Sequence, residues 1–108
     1  MGQRTLDGTD LSALRREYRR LVDTALPRAA EEGEKWPVCR DHCFARIVLD
    51  DVFEGVWYDH VGGRPAYEHL SASELRAAIA TAERLLEEGP SLARELNRNS
   101  SKRRRRDD

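Results

Sequence analysis

The feature that most restricts the fold is the recurrence of apolar residues every three to four positions in two long stretches. Thr9 or Asp10 can cap the first stretch by accepting hydrogen bonds from free backbone N–H groups. Its apolar residues are Leu11, Leu14, Tyr18, Leu21, Val22 and Ala25. Those of the second stretch are Leu75, Ala78, Ile79, Ala82, Leu85 and Leu86. This spacing predicts amphipathic helices that each bury one stripe.

Helix-breaking and helix-capping residues mark out further helices. Pro27 donates no N–H and is therefore expected to bend the end of the first helix. A second helix is predicted between a cap at Asp41 and a stop at Gly55. Its buried face would consist of Phe44, Ile47, Val48 and Val52. A strand through the β-branched residues here is the alternative, and a helix is favoured because no partner strand is evident.

The third and fourth helices are delimited by a capping box and a glycine–proline pair. Ser71 and Glu74 have the spacing at which each side chain accepts a hydrogen bond from the other's backbone N–H. Gly89-Pro90 is expected to end this helix and start a short last one. The predicted fold is all-α, a small single-domain bundle of about four helices. We expect a flexible leader over residues 1–8, one helical domain over 9–99 and a disordered basic tail over 100–108.

Charge is unevenly distributed although the net charge is only −1. From Arg94 onward seven Lys and Arg face three acids, a balance of +4 that leaves −5 for the rest. Arginines also share one flank of the first helix: Arg15, Arg16, Arg19 and Arg20. With them, the predicted phosphate contacts are Arg98, Lys102, Arg103, Arg104, Arg105 and Arg106. Both groups favour non-sequence-specific binding of DNA or RNA, and solvated charge is the alternative interpretation.

Both cysteines lie in one short segment, between Trp36 and Asp50. Structural zinc sites use two ligand pairs at short spacing, and Cys39, His42 and Cys43 have no matching second pair. We therefore predict no metal and no cofactor. An enzymatic alternative places chemistry in a pocket formed by five residues: His42, Cys43, Asp50, Trp57 and His60. No complete catalytic signature accompanies them, so no catalytic residue is assigned.

Two further expectations concern partners and location. Trp57, Tyr58 and Tyr67 are candidate anchors for a protein partner, since aromatic side chains dominate such interfaces. No run of eighteen apolar residues occurs and the first thirty residues have no apolar centre, so no membrane association is expected. The chain is predicted to be cytoplasmic, with both cysteines present as thiols.

The segments WPVCRDHCFARIVLD, VWYDH, RPAYEHL and ELNRNS together resemble a small family of bacterial proteins. Members of that family often carry the label GCN5-related N-acetyltransferase. The resemblance covers roughly residues 11–100 and implies no particular catalytic residue. Acetyltransferases of that class share a mixed α/β fold and a glycine-rich R/Q-x-x-G-x-G/A loop. This sequence does not contain that loop motif. The resemblance therefore implies either an acetyltransferase-related protein or the partner of one.

Overall fold

In the computed structural model the chain is described over residues 10–106, without the side chain of Arg106. The first helix consists of α1 (Leu11–Arg19), a π-helical segment (Arg20–Ala25) and α2 (Leu26–Glu32), which follow one another without a break. The other helices are α3 (Asp41–Phe53), α4 (Ala72–Glu88) and α5 (Pro90–Arg106). Two short 3₁₀ turns, Trp57–Asp59 and Ala66–His69, lie between α3 and α4. The predicted all-α bundle of four helices is confirmed.

The first helix continues through Pro27. Its N-terminus is capped as expected by Asp10, whose carboxylate accepts the N–H of Ser12 at 2.9 Å. Before the proline the helix widens, and the Leu26 N–H donates to the Leu21 carbonyl five residues earlier. Because a proline ring crowds the carbonyl four residues before it and offers that carbonyl no N–H, a widened turn is one way to accommodate it. The helix therefore ends only at Gly33, whose N–H donates to the Ala29 carbonyl at 2.9 Å.

The segment that could have been a strand forms α3, and both of its ends differ from the prediction. Arg40, with extended backbone, occupies the N-cap position, and Asp41 is the first helical residue. The Asp41 carboxylate accepts the neighbouring N–H of His42 at 2.7 Å. At the other end Glu54 adopts the left-handed conformation, with φ of 51°, and caps the helix one residue before the predicted stop at Gly55. The Gly55 N–H then donates to the Asp50 carbonyl at 3.1 Å, which closes the helix.

The helix α4 begins as its sequence predicts. The Ser71 hydroxyl accepts the Glu74 N–H at 3.1 Å, and the Glu74 carboxylate accepts the Ser71 N–H at 2.8 Å. Gly89, with φ of 76°, turns the chain so that Pro90 starts α5. Leu86 was expected to be buried but is exposed, since it lies two turns beyond the partly buried Ile79 on the same edge of the stripe.

The last helix requires a correction, because α5 is 17 residues long rather than short. Residues 100–106, expected to form a disordered tail, belong to this helix. Ser100 is fully buried, and the Arg103 guanidinium donates to the backbone carbonyl of Asp50 at 2.7 Å. The helical domain therefore extends past residue 99 as far as residue 106. The leader over residues 1–8, the alternative cap Thr9 and the last two residues lie outside the described part of the chain.

The core is centred on α3, which packs against α4, α5 and the π-helical segment. Phe44, Ile47, Val48 and Leu49 are essentially inaccessible to solvent. Asp41, His42 and Ala45, on the first turns of α3, line a cavity together with residues of the loop that carries the 3₁₀ turns. Over residues 10–106 no helix is both long and apolar enough to cross a membrane.

Candidate functional site

The outer face of α5 carries a row of exposed basic side chains, here called the α5 stripe: Arg94, Arg98, Lys102 and Arg105. At 3.6 residues per turn these positions fall within an arc of about 80°. The Arg94 guanidinium donates to the Lys35 carbonyl at 2.9 Å. Over the described residues, the other three charged groups have no hydrogen bond or ion pair with the protein. The α5 stripe is therefore a solvent-facing positive surface.

The inner face of the same helix is held to α3 by Asp50, whose side chain has no exposure to solvent. One carboxylate oxygen of Asp50 accepts the Ser100 hydroxyl at 2.6 Å and the Arg104 Nε at 3.1 Å. The other accepts Arg104 Nη2 at 3.2 Å and the backbone N–H of Trp57 at 3.0 Å. The buried charge is thus paired with a guanidinium and saturated with donors, as an inaccessible carboxylate requires.

A second guanidinium extends this network along α3. The Arg46 Nη1 donates to the Ser100 hydroxyl at 2.8 Å, and Nη2 donates to the Asn97 side-chain oxygen at 2.7 Å. Two polar residues of α5 are therefore fixed by one side chain of α3. This explains why the last turns of a helix so rich in arginine remain packed on the bundle.

The predicted basic tail is consequently divided between two faces of α5. Arg98, Lys102 and Arg105 are exposed, whereas Arg103 and Arg104 point toward Asp50. Since these two guanidinium groups are engaged inside the protein, they are poorly placed for phosphate contacts. The side chain of Arg106 lies outside the described residues.

The four arginines predicted on the first helix are mostly engaged by neighbouring groups. Arg20 forms an ion pair with Glu17 at 2.6 Å, and hydrogen bonding to this guanidinium lowers the pKa of Glu17. Arg19 contacts Asp23 at 3.4 Å, and Arg15 Nη2 donates to the Glu68 carbonyl at 3.0 Å. Both ion pairs are exposed and therefore weak, so the charges remain accessible to a competing phosphate.

Three of these arginines line a shallow cleft, here called the arginine cleft. Its volume is about 400 Å³. Its walls are Ser12, Arg15, Arg16, Arg19, Tyr67 and Glu68. The 3₁₀ turn Ala66–His69 supplies the far side and places the Tyr67 ring 5.1 Å from the Arg19 guanidinium. The cleft thus combines positive charge with an aromatic face.

A second cavity of about 330 Å³, also lined by Tyr67, is here called the aromatic cavity. Tyr18, Trp57 and Tyr67 provide its rings, and the Tyr18 and Tyr67 centroids lie 6.3 Å apart. The Arg64 guanidinium lies 5.3 Å from the centre of the Trp57 ring. Burial, followed by the nearby Asp23 charge, raises the pKa of Tyr18, so its phenol stays protonated. Asp23, Asp41 and His42 add polar groups to the lining.

The five-residue pocket suggested by the sequence is only partly formed. His42 and Trp57 line the aromatic cavity, but Cys43 and Asp50 do not, because α3 turns them toward the core and toward α5. His60 stacks instead on Phe53, with ring centroids 5.3 Å apart. Residues 10–106 contain no group of three or more His, Cys, Asp or Glu close enough to hold a metal ion.

The aromatic residues proposed for a protein partner also take different positions. Tyr58 is about half exposed at 49%. Trp57 is partly buried against the core, and Tyr67 separates the two cavities. Together they do not form one outward-facing apolar patch. The sequence interpretation missed Tyr18 and Arg64 as cavity residues, since nothing in their local sequence distinguishes them from core and loop positions.

The position of Arg94 was also missed, although its signal was present. Its spacing to Arg98, Lys102 and Arg105 is helical, which becomes informative once the last helix is extended.

Comparisons with models of known protein families, with curated proteins and with solved structures find no match to this chain.

Proposed function

We propose that the protein binds nucleic acid, DNA in particular, through its phosphates and without reading base sequence. The observation that supports this most directly is the α5 stripe. Its four basic side chains are exposed on one helical face. They extend over about 16 Å of helix, at 1.5 Å per residue. A row of this kind can follow the phosphates of one strand, which are the main source of sequence-independent affinity.

Local charge rather than total charge supports this proposal. The chain as a whole is slightly acidic, with a net charge of −1. Attraction to a polyanion then depends on where the positive groups are concentrated. Within α5, over residues 90–106, the one acidic residue is Glu95, which lies at the edge of the stripe. Such an interface predicts binding that weakens steeply when salt is added, because bound phosphates release their counterions.

The arginine cleft is a second, weaker contact in this proposal. Arg16 is exposed, and the ion pairs of Arg19 and Arg20 with Asp23 and Glu17 are themselves exposed. A phosphate that displaces a surface carboxylate loses little, since such pairs contribute only about 0–1 kcal/mol. The cleft would therefore add affinity after the α5 stripe has brought the strand close.

The test is fluorescence anisotropy with a labelled duplex, between roughly 50 and 300 mM salt, a range in which phosphate contacts are resolved. The variant replaces Arg98, Lys102 and Arg105 together by Gln. A matched control removes three exposed charges elsewhere by replacing Arg28, Arg40 and Arg84 with Gln. We expect the slope of log affinity against log salt to fall by about 2.7 in the α5 variant, at about 0.9 per phosphate contact. The control should keep most of the slope.

Two results would overturn the proposal. The first is no binding at the lowest salt by a protein whose helical circular dichroism is intact. The second is an equal loss in the α5 variant and its control, which would assign the effect to net charge alone. If duplex affinity is unchanged in the α5 variant and the protein binds another protein in a salt-insensitive way, the result would instead support the partner-docking alternative at Tyr58.

A further inference from the structure

The arginine cleft and the aromatic cavity share one wall, the side chain of Tyr67. The arginine cleft also contains the guanidinium groups of Arg16 and Arg19. The aromatic cavity also contains the rings of Tyr18 and Trp57. A phosphate-binding surface and an aromatic recess thus meet at a single residue. Duplex DNA keeps its bases stacked inside the helix, so the bases of an intact duplex cannot enter an aromatic recess next to a phosphate site.

The dimensions and chemistry of the aromatic cavity suit one nucleobase. Its volume of about 330 Å³ is at the lower end of small-ligand cavities, which suits a group smaller than a drug molecule. Trp57 and Tyr67 offer aromatic surface on which a planar base can stack. The exposed Arg64 guanidinium, 5.3 Å from the Trp57 ring centre, can pair with a backbone phosphate.

Acidic groups in the lining determine which base edges fit. Asp23 and Asp41 place carboxylates at the cavity, and a carboxylate accepts the exocyclic amino group of cytosine. The Asp41 carboxylate lies 3.6 Å from the His42 ring nitrogen, and Asp23 contacts Arg19. Both acids are exposed, so a base edge can reach them without a costly rearrangement.

We propose that the aromatic cavity receives one unstacked base of a single-stranded nucleic acid, while the arginine cleft holds the adjacent phosphates. This rests on the proposed function and makes it more specific, because it predicts a preference for single strands over duplex. The α5 stripe would contribute to both kinds of complex. Base stacking on Tyr67 and Trp57 would contribute only to the complex with a single strand.

The test uses Trp57 as its own reporter. The full chain contains two tryptophans, and Trp36 packs edge-on against Phe44 away from the cavity. Trp36→Phe therefore leaves Trp57 as the emitting tryptophan. This protein is titrated, at one salt concentration, with a twelve-residue oligodeoxycytidine, with a duplex of equal length and with cytidine monophosphate. Tyr67→Leu in the same background tests the shared wall, and Leu86→Ala is the control, at an exposed position of α4 that lines neither cavity.

We expect the single strand to quench Trp57 fluorescence and to bind about tenfold more tightly than the duplex, since stacking contributes at this scale. Tyr67→Leu should abolish most of that preference and weaken duplex binding much less, because duplex affinity depends mainly on the α5 stripe. Leu86→Ala should change neither. Equal binding of both forms without quenching would overturn the base-binding proposal and leave the proposed function intact. Absence of binding to either form would refute both. Equal quenching by cytidine monophosphate at the same nucleotide concentration would overturn the single-strand assignment in favour of a free nucleotide.

Discussion

The two faces of α5 present arginines that are neighbours in sequence and opposite in environment. Arg104 points inward and pairs with the fully buried Asp50 at 3.1 Å. Arg105 points outward and has no partner over the described residues. The inward arginine is fixed by the protein, whereas the outward one remains available to an external anion. A run of identical residues therefore divides into an anchor and a binding surface according to helical angle.

The largest expected effect comes from removing the acceptor of the inner face. Asp50→Ala leaves the Arg104 guanidinium and the Ser100 hydroxyl without their buried partner. Breaking a buried pair in this way costs about 3–5 kcal/mol of unfolding free energy. Urea unfolding followed by circular dichroism measures the change, with the exposed Asp59→Ala as control. Equal stability of the two variants would show that the inner face does not anchor α5.

Substitution of the paired arginines compares the two faces directly. Arg104→Ala should destabilise the protein by about 1–3 kcal/mol, less than Asp50→Ala, since the Asp50 carboxylate loses its guanidinium but keeps the donors of Ser100 and Trp57. Arg105→Ala should change stability by less than about 0.5 kcal/mol, as is usual for exposed positions. Thermal unfolding of both variants under identical conditions measures the difference. Similar values for the two would remove the distinction between anchor and surface.

The buried phenol of Tyr18, in the aromatic cavity, predicts that the free energy of unfolding depends on pH. Burial raises the pKa of Tyr18 above its ordinary value of 10.0. The unfolded chain therefore releases this proton first, so stability is retained below pH 10 and is lost as the pH rises above it. The loss should be about 1.4 kcal/mol by one unit above that value. Tyr18→Phe should remove this component from urea unfolding curves, and an unchanged alkaline slope would contradict the assignment.

The smallest effect is expected on the outer face itself. Arg98→Gln with Arg105→Gln should leave the free energy of unfolding unchanged within about 0.5 kcal/mol, because exposed charges contribute little to stability. The same double variant should weaken duplex binding more at low salt than at high salt. Calorimetry and anisotropy on one preparation would separate the two properties. A destabilised variant with normal binding would reverse the roles assigned to the two faces.

Local signals in the sequence predicted the helices that begin and end with clear chemistry. The Ser71–Glu74 capping box and the Gly89-Pro90 boundary act within a few residues, and both are confirmed. The end of α5 was predicted less well, because residues after Ser100 are polar and their low hydrophobicity is typical of disorder. What keeps them helical is a contact fifty residues away, between Ser100 and Asp50.

The candidate sites also differ in how far the local sequence predicts them. Counting Lys and Arg predicted positive charge at the C-terminal end, and helical spacing could have identified the α5 stripe. The aromatic cavity could not be predicted, because Tyr18, Trp57 and Tyr67 come from three separate segments. Their approach depends on how the loop after α3 packs against the first helix. No local pattern encodes that arrangement.

The sequence by itself determined the helical class, the stripes that form the core and the amount of basic charge near the end of the chain. It could do so because periodicity and capping act over one or two turns. Only the tertiary structure decided which arginines face water and which face Asp50, and only it placed Tyr67 between the two cavities. The physical reason is that a buried carboxylate requires donors, and the fold places those of Ser100 and Arg104 within reach.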